Sequence, residues 1–238
     1  MTPTLARRLL AEGVGTGLLV TVVVGSGIAA SRLSPGDVGL QLLENSIATA
    51  LGLGVLILLF GPVSGAHFNP VVTVAARLLG RPAPRRREVL AYVGVQTLGA
   101  VLGAVLANAM YGLPAVQVAT TVRGGTGVWI GEAVATAGLV ALVFALVRTG
   151  REGLAAPAVG AYIGAAYWFT SSTSFANPAV TVGRMVSDTF AGIAPASVPG
   201  FVLAQLVGAA LGIGLVVALH PAVRPANHPT RPVVEESS

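Results

Sequence analysis

Two stretches of the 238-residue sequence are near copies: Ser64-Gly-Ala-His67-Phe-Asn69-Pro70-Val71-Val-Thr-Val-Ala-Ala-Arg77, and Ser174-Phe-Ala-Asn177-Pro178-Ala179-Val180-Thr-Val-Gly-Arg184. Each carries Asn-Pro, a helix-start signal. Asn caps free N–H groups of the first turn, and Pro takes the first helical position, where a missing N–H removes no bond. Neither helix continues as the apolar run of about 20 residues that crosses a hydrocarbon core, because charged or Pro- and Gly-rich sequence soon follows. The pattern predicts two half-helices, over 69–79 and 177–188, each following a complete hydrophobic segment.

Half-helices of this kind need a membrane, and composition supplies one. The chain is 54% hydrophobic and 10% charged, whereas a soluble domain carries about 25% charged residues. Cysteine is absent, which excludes disulfides, thiol redox chemistry and cysteine metal sites. With three His (67, 220 and 228) and no clustered carboxylates, no metal or other cofactor is expected. All fourteen basic residues are Arg, spread among loops without interleaved aromatics. That distribution points away from nucleic acid and toward a bilayer as the partner.

Six apolar segments read as full spans, at about 9–30, 45–60, 89–110, 128–147, 154–169 and 198–219, and 220–238 reads as a disordered tail. The second span is expected to end at Gly61-Pro62 after a polar loop over 31–44. Glu12-Gly-Val-Gly-Thr16 is answered by Glu132-Ala-Val-Ala-Thr136, and Gln96-Thr-Leu-Gly-Ala-Val-Leu-Gly103 by Gln205-Leu-Val-Gly-Ala-Ala-Leu-Gly212. The sequence is therefore read as a duplication, 1–110 and 111–219. Three spans per unit, an odd number, make the second unit enter the membrane in the opposite sense, an inverted 3+3 repeat. Arg distribution orients it. With both termini cytoplasmic, eleven of the fourteen Arg fall inside, leaving Arg32, Arg123 and Arg184 outside. The Arg85-Arg86-Arg87 run reads as a topology anchor. Gly-x-x-x-Gly pairs at 13/17, 99/103, 160/164 and 208/212 predict close helix contacts.

Two half-helices meeting end to end aim positive dipole ends at one point, which repels cations. Asn69 and Asn177 can present amide N–H groups there to a water or hydroxyl oxygen. The non-helical approaches 64–68 and 171–176 would expose carbonyls, tolerated at membrane depth only where backbone lines a wet cavity. Glu12 and Glu132 lie inside spans, where an unpaired charge is expensive. They read either as a proton relay or as acceptors for loop N–H groups, the second being favoured.

The paired boxes, the Ser-Gly-Ala-His-Phe-Asn-Pro approach, the Glu-x-x-Gly-Thr start and the two Gln-x-x-Gly spans resemble the aquaporin and aquaglyceroporin family of major intrinsic proteins. The likeness runs over roughly residues 5–219. It implies an all-α fold of six transmembrane helices plus two re-entrant half-helices, one pore per subunit, homotetramers in the cell membrane, and water or small uncharged solutes as cargo. It makes Glu12 and Glu132 structural and His67 a loop brace rather than a gate.

The departures lie at the filter. The position three after the second Asn, usually Arg in the family, is Val180, and the first box has Val71 for the usual Ala, adding two methyls at the waist. Matching positions are Thr49, Ser174 and, in the fifth span, either Ala165 or Tyr167. A wide filter without Arg is the implication. Arg184 either returns a charge to the outer vestibule or pairs with Asp188 at i,i+4. Three classes of function then compete: a passive channel for water, glycerol-like polyols or undissociated metalloid hydroxides such as arsenite; a gradient-coupled transporter of a small neutral solute using Glu12 and Glu132; and a closed structural protein, which has no need of two intact boxes. No catalytic constellation is present.

Overall fold

The computed structural model describes residues 3–80 and 83–220, so the 220–238 tail expected from the sequence lies outside the described residues except for His220. Among the described residues eight α-helices are formed: α1 (Leu5–Leu33), α2 (Val38–Ser64), α3 (Pro70–Leu79), α4 (Arg86–Met110), α5 (Thr126–Arg148), α6 (Ala155–Phe169), α7 (Pro178–Gly183) and α8 (Val198–Leu219). Five are long and apolar enough to span a bilayer: α1, α2, α4, α5, and α8 with its preceding turn. The sixth, α6, has 15 residues and is preceded by a 3-10 turn at Glu152–Leu154. With α3 and α7 as half-helices, this is the all-α, aquaporin-like fold expected.

Boundaries depart from expectation where a local signal was misread. Helix α2 starts at Val38, capped by the Asp37 carboxylate on Leu40 N–H (2.9 Å), and the connection to α1 shrinks to a few residues. It also runs through Pro62 and stops at Gly65, whose φ of 89° is the left-handed conformation that only glycine adopts freely. The second half-helix ends at Gly183 rather than 188, with one 3-10 turn over Arg184–Val186.

Burial is inside out relative to a soluble domain. Glu12, Gln96, Glu132 and Gln205 are fully buried, while Leu51, Leu58, Leu90, Leu98 and Leu211 present more than half their surface outward. The helices that carry the polar residues are held together by glycine. A methyl group on Gly99 or Gly103 of α4 would strike the carbonyls of Gly13 and Gly17 on α1, and one on Gly208 or Gly212 of α8 would strike those of Ala133 and Ala137 on α5. Gly160 of α6 meets Ala50 O of α2 in the same way, at 2.6 Å from such a methyl. The half-helix α7 docks on α4 through Gly183 against Ala100. Close backbone approach thus sets the distance between helices and the position of everything between them.

Gly103→Ala should lower stability by about 1–3 kcal/mol, the usual cost of overpacking. Gly94→Ala, where a methyl group meets nothing within 4 Å, should leave it unchanged. Thermal unfolding of the two variants in the same detergent reads the difference.

Candidate functional site

The approaches to the two Asn-Pro boxes are built from backbone conformations that side chains disfavour. Ala66 and Phe68 (φ 48° each) precede Asn69, and Thr173, Ser174 and Ala176 (φ 57°, 50° and 47°) precede Asn177. Each left-handed non-glycine residue costs about 1–2 kcal/mol, so something must hold these loops. Glu12 does so from α1. Its Oε1 accepts from Ser64 Oγ (2.7 Å) and His67 N–H (2.9 Å), and its Oε2 from Phe68 N–H (2.7 Å) and Gln96 Nε2 (2.7 Å). Glu132 of α5 repeats the arrangement: Oε2 accepts from Phe175 N–H (3.2 Å), and Oε1 from Ala176 N–H and from Gln205 Nε2 (2.7 Å). Gln96 and Gln205 each donate also to the Thr of the facing half-helix, Thr73 (3.0 Å) and Thr181 (2.8 Å). His67 Nδ1 lies 3.1 Å from Thr73 Oγ1, which ties the first loop to its own helix.

The loops deliver Asn69 and Asn177 to a single point. Asn69 Oδ1 accepts from Val71 N–H (3.1 Å), and Asn177 Oδ1 from Ala179 N–H (3.0 Å) and Val180 N–H (3.3 Å), so each caps its own half-helix. Their amide groups cross over. Asn69 Nδ2 donates to Ala176 O and Asn177 Nδ2 to Phe68 O, both at 2.7 Å. Each amide nitrogen has two hydrogens, and one of each remains for the space between the helices.

That space is a cavity of about 580 Å³. It runs from Ile57, Pro62 and Val147 at one end, past the two Asn, to Tyr167 and Arg184 at the other, between walls such as Leu19, Val72, Leu139 and Ile163. Backbone of 65–68 and 174–176 borders it, and among the described residues nothing donates to the carbonyls of Ala66, His67, Ser174 or Phe175. Glu12 and Glu132 do not reach the lumen.

Of the residues singled out in the sequence, Thr49, Tyr167, Ser174, Val180, His67 and Arg184 border the cavity with the two Asn. Thr49 Oγ1 and Tyr167 OH are 3.1 Å apart, and Ser174 Oγ is buried without a partner among the described residues. Others fall elsewhere. Ala165 faces outward, so the span-five position on the lumen is Tyr167. Val71 is buried off the lumen, and its neighbour Val72, one step further round α3, takes the wall. Pro70, Pro178 and Ala179 serve the first turns of α3 and α7 rather than the wall.

Arg184 does not pair with Asp188. The Asp188 carboxylate accepts instead from Thr120 N–H (2.8 Å) and Oγ1 (2.9 Å), because the residues after Arg184 leave the helix and carry Asp188 away. Arg184 is buried. Its Nε donates to Ala191 O, its guanidinium carbon lies 3.4 Å from the Phe175 ring centroid, and among the described residues its terminal nitrogens find no acceptor. Arg123 was missed by sequence reading, since it sits in a loop with no counterpart in the repeat. It donates to Phe190 O and Gly192 O (2.9 Å each) and lies 5.5 Å from the same ring; burial lowers its pKa. Among the described residues the one ion pair, Arg8–Glu88 at 3.8 Å, is elsewhere.

Residues 1–173 match the model of the family described as MIP, major intrinsic protein. Over 235 residues the chain is 48% identical to aquaglyceroporin AqpS of Rhizobium meliloti (strain 1021), covering 98% of this chain and 96% of the relative. The chain belongs to the major intrinsic protein family. The probable aquaporin AqpM of Archaeoglobus fulgidus is 32% identical over 238 residues (88% of this chain, 95% of the relative). The X-ray structure of the aquaglyceroporin from Plasmodium falciparum superposes with a TM-score of 0.69 over 91% of this chain and 97% of that one; at 18% identity it speaks for the fold. As a major intrinsic protein the chain is a passive membrane channel for water or small solutes, not an enzyme.

Glu12→Gln replaces one acceptor oxygen by a donor facing donors, which leaves a buried N–H or hydroxyl unpaired at about 1–3 kcal/mol. Its melting temperature in detergent should fall. Water flux per inserted protein should fall with it, because the first box loses its brace.

Proposed function

We propose that the lumen carries small uncharged, hydroxyl-bearing solutes, glycerol-like polyols or undissociated metalloid hydroxides such as arsenite, alongside water, through a filter formed by Thr49, Tyr167, Ser174 and Val180. The observation that carries this reading is the crossed pair of Asn amides in one lumen, each with an N–H to spare. A passing oxygen accepts from both, while the apolar walls offer no competing partner. Two half-helix dipoles directed at the same point oppose cations. The filter combines an apolar face, Val180, with the hydroxyls of Thr49, Tyr167 and Ser174, and so suits a solute with several hydroxyls on a compact body. Arg184 supplies the guanidinium that Val180 lacks, one turn further along the lumen. The name of the AqpS relative, an aquaglyceroporin, supports a cargo beyond water.

Coupled transport finds no support in the lumen, since the two buried carboxylates are turned away from it and saturated by loop N–H groups, and Glu152, which borders it, is exposed. The Arg distribution supports both termini in the cytoplasm, the matching Glu–Gln–Thr networks support reading the two units as an inverted pair, and the family likeness supports a homotetramer in the cell membrane.

Asn69→Leu or Asn177→Leu removes the donors and leaves a dry constriction, so water and solute fluxes in proteoliposomes should fall together. Undiminished flux through correctly inserted protein would sink the assignment. Val180→Arg adds a second guanidinium to the filter. Glycerol permeability should drop far more than water permeability, and an unchanged ratio would remove Val180 from the filter.

A further inference from the structure

We infer that Arg123 is a positioning residue for selectivity: it fixes Arg184 at the lumen through the turn Phe190–Gly192 and the ring of Phe175. This rests on the reading of Arg184 as the filter guanidinium.

The Arg184 side chain has a single hydrogen bond within the described residues, from Nε to Ala191 O, and one stacking surface, Phe175. Ala191 lies in a turn closed by Gly192 N–H on Thr189 O (2.8 Å), and Phe175 lies in the left-handed loop before Asn177. Arg123 grips both. Its Nε and Nη2 bond the carbonyls on either side of Ala191, those of Gly192 and Phe190 (2.9 Å each), and its guanidinium also lies against the Phe175 ring. A planar fork with several donors can span two carbonyls; an ammonium, a point donor, cannot hold them in the same geometry.

Arg123 is itself anchored. Its N–H donates to Ser197 Oγ (2.9 Å), and the strip leading to it is tied to the residues after α7 by Gln117 N–H on Val186 O (3.0 Å), Ala119 N–H on Met185 O (2.8 Å) and Ala194 N–H on Thr121 O (2.8 Å). A loop outside the repeat therefore sets the orientation of a side chain in the lumen. Two guanidinium groups share one aromatic ring with no carboxylate within ion-pair distance among the described residues. Their mutual repulsion is opposed by carbonyl dipoles and the ring face. Without Arg123, the turn and ring no longer confine Arg184, and its free N–H groups sample several positions in the lumen.

The test measures glycerol and water permeability in proteoliposomes for Arg184→Leu, Arg123→Gln, Arg123→Lys and the double variant Arg123→Gln/Arg184→Leu, each normalised to inserted protein. Arg184→Leu should raise the glycerol-to-water ratio several-fold. Arg123→Gln should raise it in the same direction by about threefold, a modest coupling for neighbours in one network, and Arg123→Lys should recover only part of the change. In the double variant the Arg123 substitution should add nothing. That non-additivity is what a merely structural role would not produce. An Arg123→Gln ratio equal to wild type, or an equal effect with and without Arg184, overturns the inference while leaving Arg184 in place. An unchanged ratio in Arg184→Leu removes Arg184 from the filter, and the inference with it. Should Arg123→Gln fail to insert, Arg123→Lys alone decides: a ratio shift present with Arg184 and lost in Arg184→Leu supports the proposal, and any other result refutes it.

Discussion

A carboxyl group buried inside a membrane helix is the constraint from which the rest of this molecule follows. Glu12 and Glu132 are fully buried, and each accepts hydrogen bonds from two successive backbone N–H groups of a loop that no regular structure could satisfy. Hydrogen bonds to a charged acceptor contribute about 1.5–3 kcal/mol each. They oppose the cost of the two or three left-handed residues in each loop, at about 1–2 kcal/mol apiece. Removing the carboxyl groups leaves no reason for either chain segment to turn back at membrane depth.

With the loops held, the geometry of the lumen is largely determined. The half-helices α3 and α7 begin at residues whose side chains cap their own helix and reach across to the opposite loop, so the two halves of the pore are locked to each other by Asn69–Ala176 and Asn177–Phe68. Glycine contacts between α1 and α4 and between α5 and α8 set the frame around them. Glu12, Gln96, Glu132 and Gln205, which brace the loops, stay behind the wall, and the polar groups that border the lumen are an Asn pair, His67, a few hydroxyls, one guanidinium and the exposed Glu152. A site of this composition discriminates by hydrogen-bond donors, width and charge, with neither of the span carboxylates, Glu12 and Glu132, in the path.

Much of this was legible from residues alone, because the signals are local or repeated. Asn-Pro sets a helix start wherever it lies, and the duplicated Glu, Gln and Thr positions announced matched networks. Boundaries failed where a strong local signal was overridden. Pro62 sits inside the last turn of α2, which continues to Ser64 despite the N–H that Pro lacks, and Gly65 is the true stop. The half-helix α7 is shorter than its charge pattern suggested, and this removed Asp188 from reach of Arg184. Side-chain direction was beyond the sequence: spacing left Ala165 and Tyr167 equivalent, and nothing distinguished Val71 from Val72 until the pitch of α3 was known. Arg123 was illegible for another reason. Its role depends on loop carbonyls, which every residue carries and no pattern marks.

The central claim is that a solute crosses by diffusing down its own gradient through a lumen that neither Glu12 nor Glu132 reaches. The most direct test is initial glycerol uptake into proteoliposomes with proton and sodium gradients imposed, then collapsed by ionophores. The account predicts the same initial rate in both conditions and a final internal concentration equal to the external one. Uptake that stops with the proton gradient, or accumulates above the external concentration while it lasts, would contradict it.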